Sequence, residues 1–195
     1  MTRIVAGTYG GRRLAAPPGQ HTRPTSDRVR EALFSSLDTI TYLRGAAFLD
    51  LYAGSGAIGL EALSRGAGQV MLVEADARAA RTARDNVAAL GAGAAVRLTT
   101  AAVSQVLAKP PASPYDIVFA DPPYAASDGE VTAMLTALAS NGWLADGAIV
   151  VVERSTRSPG LQWVPGIAPI RSRPYGETTL WYGRATTAED AGAKR

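Results

Sequence analysis

Two short stretches carry the residue types that could do chemistry. The first is Phe48-Leu-Asp-Leu-Tyr-Ala-Gly-Ser-Gly-Ala-Ile-Gly59, where Gly54, Gly56 and Gly59 satisfy G-x-G-x-x-G behind an apolar run. Glycines at that spacing permit a tight strand-to-helix turn and let a ligand approach the backbone. An acid at the end of the next apolar run, Glu74, can grip the two hydroxyls of a ribose. The pattern points to an adenosine-containing cofactor, and Asp50 selects which one. The pyrophosphate of a dinucleotide needs a helix N-terminus free of neighbouring negative charge. A carboxylate four residues before Gly54 would repel it. The same carboxylate suits a ligand with a cationic amino-acid group. S-adenosylmethionine has an α-ammonium, a sulfonium and a ribose but no phosphate, so it is the expected cofactor, with S-adenosylhomocysteine as product.

The second stretch is Asp121-Pro122-Pro123-Tyr124, directly after the apolar run Asp116–Ala120. These residues suit the holding of a planar base by its exocyclic amine. The Asp121 carboxylate and the Pro122 carbonyl can accept its two N–H bonds, Pro123 stiffens the loop, and Tyr124 can stack on the ring. With both hydrogens accepted, the nitrogen lone pair is left for the incoming methyl group. Proximity and orientation then supply most of the rate, with no base of special pKa. Alone, two prolines after a strand could equally be a chain stop.

The elements that must position these residues follow from periodicity. Apolar runs at Ala46–Asp50, Val70–Glu74, Val96–Thr99, Asp116–Ala120 and Ala148–Glu153 read as strands. Helical patterns near 57–65, 77–90, 101–109 and 128–140 separate them. Strands apolar throughout and alternating with helices predict a parallel sheet covered on both faces, an α/β fold. In such a sheet the loops at the strands' carboxyl ends line the ligand crevice, so the turn at 50–59 and the loop at 121–124 are expected to face each other. Residues 169–175 and 179–184, joined by Gly176, predict a closing antiparallel hairpin. Upstream, Arg3–Ala6 and Arg12–Leu14 read as a two-stranded flap too small to bury a core of its own. A helix capped by Thr25 or Ser26 runs to about Ile40, with Val29, Leu33, Phe34, Leu37 and Ile40 on one face and Arg28, Glu31 and Ser35 on the other. Trp143 is expected to pack, His21 to be a solvated loop residue, and Glu153 to pair with an arginine.

Composition limits the class. The 195 residues are 47% hydrophobic and 19% charged, too apolar for a disordered chain, and no run of 18 apolar residues is available to span a membrane. The absence of cysteine and the single histidine leave neither a disulfide framework nor a thiolate or histidine metal site. No signal-like apolar run follows Met1, so a cytoplasmic protein without bound metal is expected. The net charge of +3 is unevenly spread: six arginines against Asp27 give the first thirty residues +5, and the remainder carries −2. That arm is the electrostatic footprint expected of contact with a phosphate backbone.

These stretches resemble the RsmD family, the small-subunit ribosomal RNA guanine-N2 methyltransferases of the class I S-adenosylmethionine-dependent fold. The resemblance spans roughly 3–184. It is carried by Arg3–Gly7, Thr22–Phe34, Leu49–Ala67 and Asp121–Tyr124. It implies a Rossmann-like fold with a mostly parallel seven-stranded sheet, a C-terminal antiparallel hairpin and a small N-terminal β-hairpin extension. The implied domains are an extension at 1–22, a methyltransferase domain at 23–184 and a flexible tail at 185–195. The implied cofactor contacts are Arg23, Thr25, Asp50, Tyr52, Gly54, Gly56, Glu74 and Asp121. Thr100 stands where the family generally offers an Asp or Asn to the adenine amine. Asp121, Pro122, Pro123 and Tyr124 are the implied catalytic set. Arg3, Arg12, Arg13, Arg23, Arg28 and Arg30 are the expected RNA contacts. The implied partner is 16S ribosomal RNA, in the small subunit or its assembly intermediate, met by a monomer. Readings left open are a DNA adenine-N6 or protein-glutamine methyltransferase, an NAD(P)-binding oxidoreductase, and a non-catalytic ribosome-assembly factor. Asp50 argues against the oxidoreductase, and the intact Asp121–Tyr124 loop argues against the assembly factor.

Overall fold

The computed structural model describes residues 2–17 and 26–187, so His21, Arg23, Thr25 and most of the expected tail lie outside the described residues. The chain divides into two compact units, Met1–Ala102 and Val103–Arg195.

In the first unit, β1 (Thr2–Arg3) and β2 (Arg13–Leu14) form a small antiparallel hairpin. Helix α1 (Asp27–Ile40) follows, capped by the Ser26 hydroxyl, which accepts the Val29 N–H. Then come β3 (Ala47–Leu51), α2 (Ala57–Ser64), β4 (Gln69–Glu74), α3 (Ala77–Ala89) and β5 (Val96–Thr100). The strands run parallel in the order β5-β4-β3. All five residues of β3 are buried, as expected of a strand covered on both faces, whereas β5 is only partly buried.

The second unit contains α4 (Val103–Leu107), β6 (Tyr115–Ala120), α5 (Asp128–Ser140), β7 (Leu144–Ser155), β8 (Ile167–Tyr175) and β9 (Thr178–Ala185). Its order is β6-β7-β9-β8, with β6 and β7 parallel and the last two pairings antiparallel. The seven strands thus show the mostly parallel α/β pattern and the closing hairpin that the sequence predicts. Boundaries moved most in β7, which begins four residues earlier than its apolar run, at Leu144. Pro169 and Pro174 are tolerated because β8 is the outermost strand, and the register shifts between Pro169 and Arg171. Trp143 packs as expected: it is buried, stacks on Tyr115 and donates its indole N–H to the Lys109 carbonyl. Among the described residues no helix is long and apolar enough to cross a membrane.

The flap is fastened to α2 by polar bonds. Glu61 is 0% exposed, and its carboxylate accepts the Val5 and Ala6 N–H groups at 2.8 and 3.0 Å. Ser64 Oγ accepts the Tyr9 N–H and donates to the Ala6 carbonyl. Ile4 and Leu14 bury their side chains beneath these bonds. Two guanidinium groups balance the buried charge of Glu61: Arg65 at 2.7 Å and Arg30 at 3.5 Å. Arg30 corrects the sequence reading. Expected on an RNA-facing surface, it is 1% exposed, and it also bonds Asp27 and the Arg3 carbonyl. Its position on the apolar face of α1, one residue from Val29, turns it inward toward Glu61.

Removing one member of a buried ion cluster leaves the others uncompensated, at a cost of about 3–5 kcal/mol. Glu61→Ala should therefore lower unfolding stability by about that amount, measured by urea denaturation. A loss below about 1 kcal/mol would show that the cluster is not what docks the flap.

Candidate functional site

The first unit builds a cradle at the carboxyl ends of its strands. After β3 the chain turns through Tyr52, Gly54 and Gly56, with φ of +63°, +56° and +81°. Left-handed backbone is costly for a tyrosine, and such strain persists only where surrounding bonds over-determine the loop. Several bonds do so here. Ala53 N–H donates to the Val73 carbonyl, and Gly56 N–H donates to the Ala53 carbonyl. The Glu74 carboxylate accepts Gly54 N–H at 2.7 Å with one oxygen and Asp76 N–H at 2.8 Å with the other. Asp76 then caps α3 through the Arg78 and Ala79 amides.

The glycines serve different ends. A Cβ on Gly54 would meet no atom within 4 Å, so the space over this left-handed residue is free for a ligand. A Cβ on Gly59 would lie 2.4 Å from Leu72 Cδ2 and 2.8 Å from Val70 Cγ1, so Gly59 lets α2 pack closely on β4. Glu74 is half-buried, and exposed Thr100 is its register partner on β5, which brings the two residues side by side at one strand end. Each Glu74 oxygen has a second lone pair for a ribose hydroxyl, and Thr100 can meet an adenine edge. These groups fit a neutral nucleoside, and Gly54 gives it room.

Asp50, an expected cofactor contact, is 1% exposed, and its carboxylate accepts the Gly59 N–H at 2.9 Å. Gly59 is the third residue of α2, whose N-cap, Gly56, has no side chain to offer, so Asp50 caps that helix from the strand. Burial pushes the Asp50 pKa from 3.8 up to about 7; the Gly59 bond lowers it and Glu74's charge raises it.

The second unit carries the other sequence-predicted group. Where β6 ends, Asp121 is half-buried, Pro122 buried and Pro123 exposed, while Tyr124 is 74% exposed. Pro123 carbonyl accepts Ala126 N–H, closing a turn. An open groove is lined by Asp121, Pro122, Tyr124, Glu153, Arg154, Ser155, Ser158 and Thr178. Sequence reasoning missed Arg154. From the end of β7 its buried guanidinium reaches the Ala126 carbonyl at 3.5 Å and Asp128 at 3.0 Å, bracing the loop against the start of α5. Ser127 and Glu130 close a capping box there, and the Ser127 bonds hold the Glu130 carboxyl below its ordinary pKa. Glu153 accepts the Thr178 hydroxyl at 3.3 Å.

Of the remaining arginines expected to meet RNA, Arg3, Arg12, Arg13 and Arg28 are exposed. Arg12 also donates to the Ala89 carbonyl at the end of α3. Arg78, Arg81 and Arg84 lie exposed on α3 and escaped the sequence reading, although their spacing of three already places them on one side of a helix.

Asp50 supplies a test. Its raised pKa means that the folded state binds the proton more tightly than the unfolded chain, so its contribution to stability is complete below pH 3.8 and lost as pH rises through about 7. Asp50→Asn keeps an acceptor for Gly59 and cannot ionise. Its stability relative to the unsubstituted chain should increase as pH rises over this window and then level. Denaturant unfolding across a pH series checks this, and a difference independent of pH would contradict it.

The family model described as conserved hypothetical protein 95 matches residues 2–184. The ribosomal RNA small subunit methyltransferase D of Escherichia coli K12 is 42% identical over 163 residues, covering 84% of this chain and 79% of that protein. The protein of the same name from Haemophilus influenzae is 35% identical over 80% of each chain. The solved structure of yhhF from Escherichia coli superposes with a TM-score of 0.84 at 35% identity, covering 95% of this chain and 98% of that one. The chain therefore belongs to the conserved hypothetical protein 95 family, the RsmD family of Rossmann-like methyltransferases.

Proposed function

We propose that this protein is an S-adenosylmethionine-dependent methyltransferase that acts on the exocyclic N2 of one guanine in 16S ribosomal RNA, in the small subunit or an assembly intermediate. The observation that carries the reading is the Asp121–Tyr124 loop. An amine acceptor, a buried proline and an exposed aromatic ring stand in one open groove, braced by Arg154. Membership of a family that includes named ribosomal RNA methyltransferases supports RNA as the substrate class.

Bound S-adenosylmethionine supplies an electrophilic methyl group on a sulfonium. Gly54 leaves room for it, Glu74 holds the ribose, and Thr100 meets the adenine. Tyr124 stacks on the flipped guanine, while Asp121 and the Pro122 carbonyl accept the hydrogens of its amine. That orients the nitrogen lone pair and lets attack proceed by alignment rather than by prior deprotonation. After transfer the nitrogen must lose one proton, and Asp121 accepts it on its way to solvent. Exposed Arg3, Arg12, Arg13 and Arg28 contact phosphates, which position the RNA without reading its sequence.

Mass-spectrometric mapping of methylated nucleosides in 16S ribosomal RNA, with and without the protein, tests the reading. A new N2-methylguanine at one position is expected, and transfer to DNA or protein alone would overturn it. Asp121→Ala should lower methyl transfer on the order of a hundredfold while S-adenosylhomocysteine binding persists in calorimetry. Replacing Arg12 and Arg13 together with Glu should weaken RNA binding and reduce its log–log salt slope by about two, leaving cofactor affinity unchanged. Filter binding across a salt series reads that slope.

A further inference from the structure

Asn86 lies on the inner side of α3, 3% exposed, and its amide meets the backbone of two segments distant in sequence. Its Oδ1 accepts the Ala15 N–H at 2.8 Å, and its Nδ2 donates to the Ala15 carbonyl and the Ser55 carbonyl, both at 3.0 Å. Ala15 follows the flap strand β2 by one residue. Ser55 is the central residue of Gly54-Ser55-Gly56. One side chain thus connects the flap to the cradle.

The Ser55 bond has a particular consequence. Ser55 stands between two glycines with φ of +56° and +81°. The peptide joining Ser55 to Gly56 is held on both sides: its N–H donates to the Ala53 carbonyl within the turn, and its carbonyl accepts from Asn86 outside it. Glu74 fixes the preceding segment through Gly54 N–H. Asn86 supplies the donor for the carbonyl that follows. Two of the Asn86 bonds go to Ala15 of the flap, which Arg12 also ties to α3 through the Ala89 carbonyl, and the third goes to the turn.

We propose that Asn86 is a positioning residue for the cofactor turn: by holding the Ser55 carbonyl while clasping Ala15, it sets the shape of the turn from the flap. This rests on the reading of the turn as the S-adenosylmethionine site. Asn86 touches no reacting atom; it acts through Ser55.

Two variants remove different sets of bonds: Asn86→Asp keeps the acceptor for the Ala15 N–H and loses the donor to both the Ala15 and Ser55 carbonyls, whereas Asn86→Ala removes all three bonds. Ser64→Ala, which loosens the flap from α2 without touching the turn, is the control. The readouts are calorimetric affinity for S-adenosylhomocysteine and hydrogen exchange of the Ser55 and Gly56 amides in ligand-free protein, with folding checked by circular dichroism.

Both Asn86 variants should bind S-adenosylhomocysteine about tenfold more weakly, as expected for loss of the one bond they share that reaches the turn, to the Ser55 carbonyl, and exchange the turn amides faster. Ser64→Ala should stay within about twofold of the unsubstituted chain in both measurements. Unchanged affinity and exchange in the Asn86 variants, or an equal loss in Ser64→Ala, would overturn the proposal. If the unsubstituted protein itself fails to bind S-adenosylhomocysteine, the cofactor reading falls, and amide exchange alone then decides the role of Asn86.

Discussion

The turn after β3 imposes the constraint on which the first unit depends. Three of its five residues from Tyr52 to Gly56 hold left-handed backbone. Such a loop does not keep one shape unaided. It is held from outside by side chains of neighbouring elements, Glu74 from β4 on Gly54 and Asn86 from α3 on Ser55, while Asp50 from β3 holds Gly59 in the helix that follows. Each contributes a hydrogen bond to a buried or half-buried backbone group that would otherwise lack a partner. The two carboxylates would be costly neighbours if both were charged. The environment moves them apart, with Asp50 buried and raised toward neutrality and Glu74 left half-exposed. One works as an internal helix cap, which leaves the other accessible at the strand end.

Helix α2 carries the same organisation to its far end. Its first turn is capped by Asp50, and its last turn carries Glu61 and Ser64, to which the flap is tied. A flap of two-residue strands has too little apolar surface to stay folded on its own. Its stability comes from Ile4 and Leu14, buried beneath it, and from a glutamate whose burial is tolerable only because Arg30 and Arg65 face it. The basic charges left on the surface are therefore presented by a fastened element rather than by a loose arm.

In the second unit, stiffness comes from covalent and polar means together. Pro122 and Pro123 restrict the backbone after β6, and the Pro123 carbonyl closes a turn with Ala126. Arg154 reaches in from β7 to the loop and to Asp128. The stiffened loop presents an exposed tyrosine and a half-buried aspartate in one groove.

Much of this was legible in the sequence. Strand and helix positions followed from apolar runs and turns, because the period of the side chains is a local property. The glycine spacing marked the turn, Glu74 was found as its neighbouring acid, and Asp121–Tyr124 was recognised because four adjacent residues suit one chemical task. What composition could not settle was the direction of particular charges. Arg30 reads as one more basic group until Glu61, thirty-one residues later, turns it inward, and nothing local in the sequence shows that Asp50 accepts the Gly59 amide. Asn86 and Arg154 carry no local signal, since their partners lie 71 and 28 residues away. The sequence by itself determined the elements and the chemical vocabulary of the site. Only the tertiary structure decided which polar groups stay accessible and which are used within the fold, because a buried charge or amide must be satisfied by whatever non-local partner the packing brings to it.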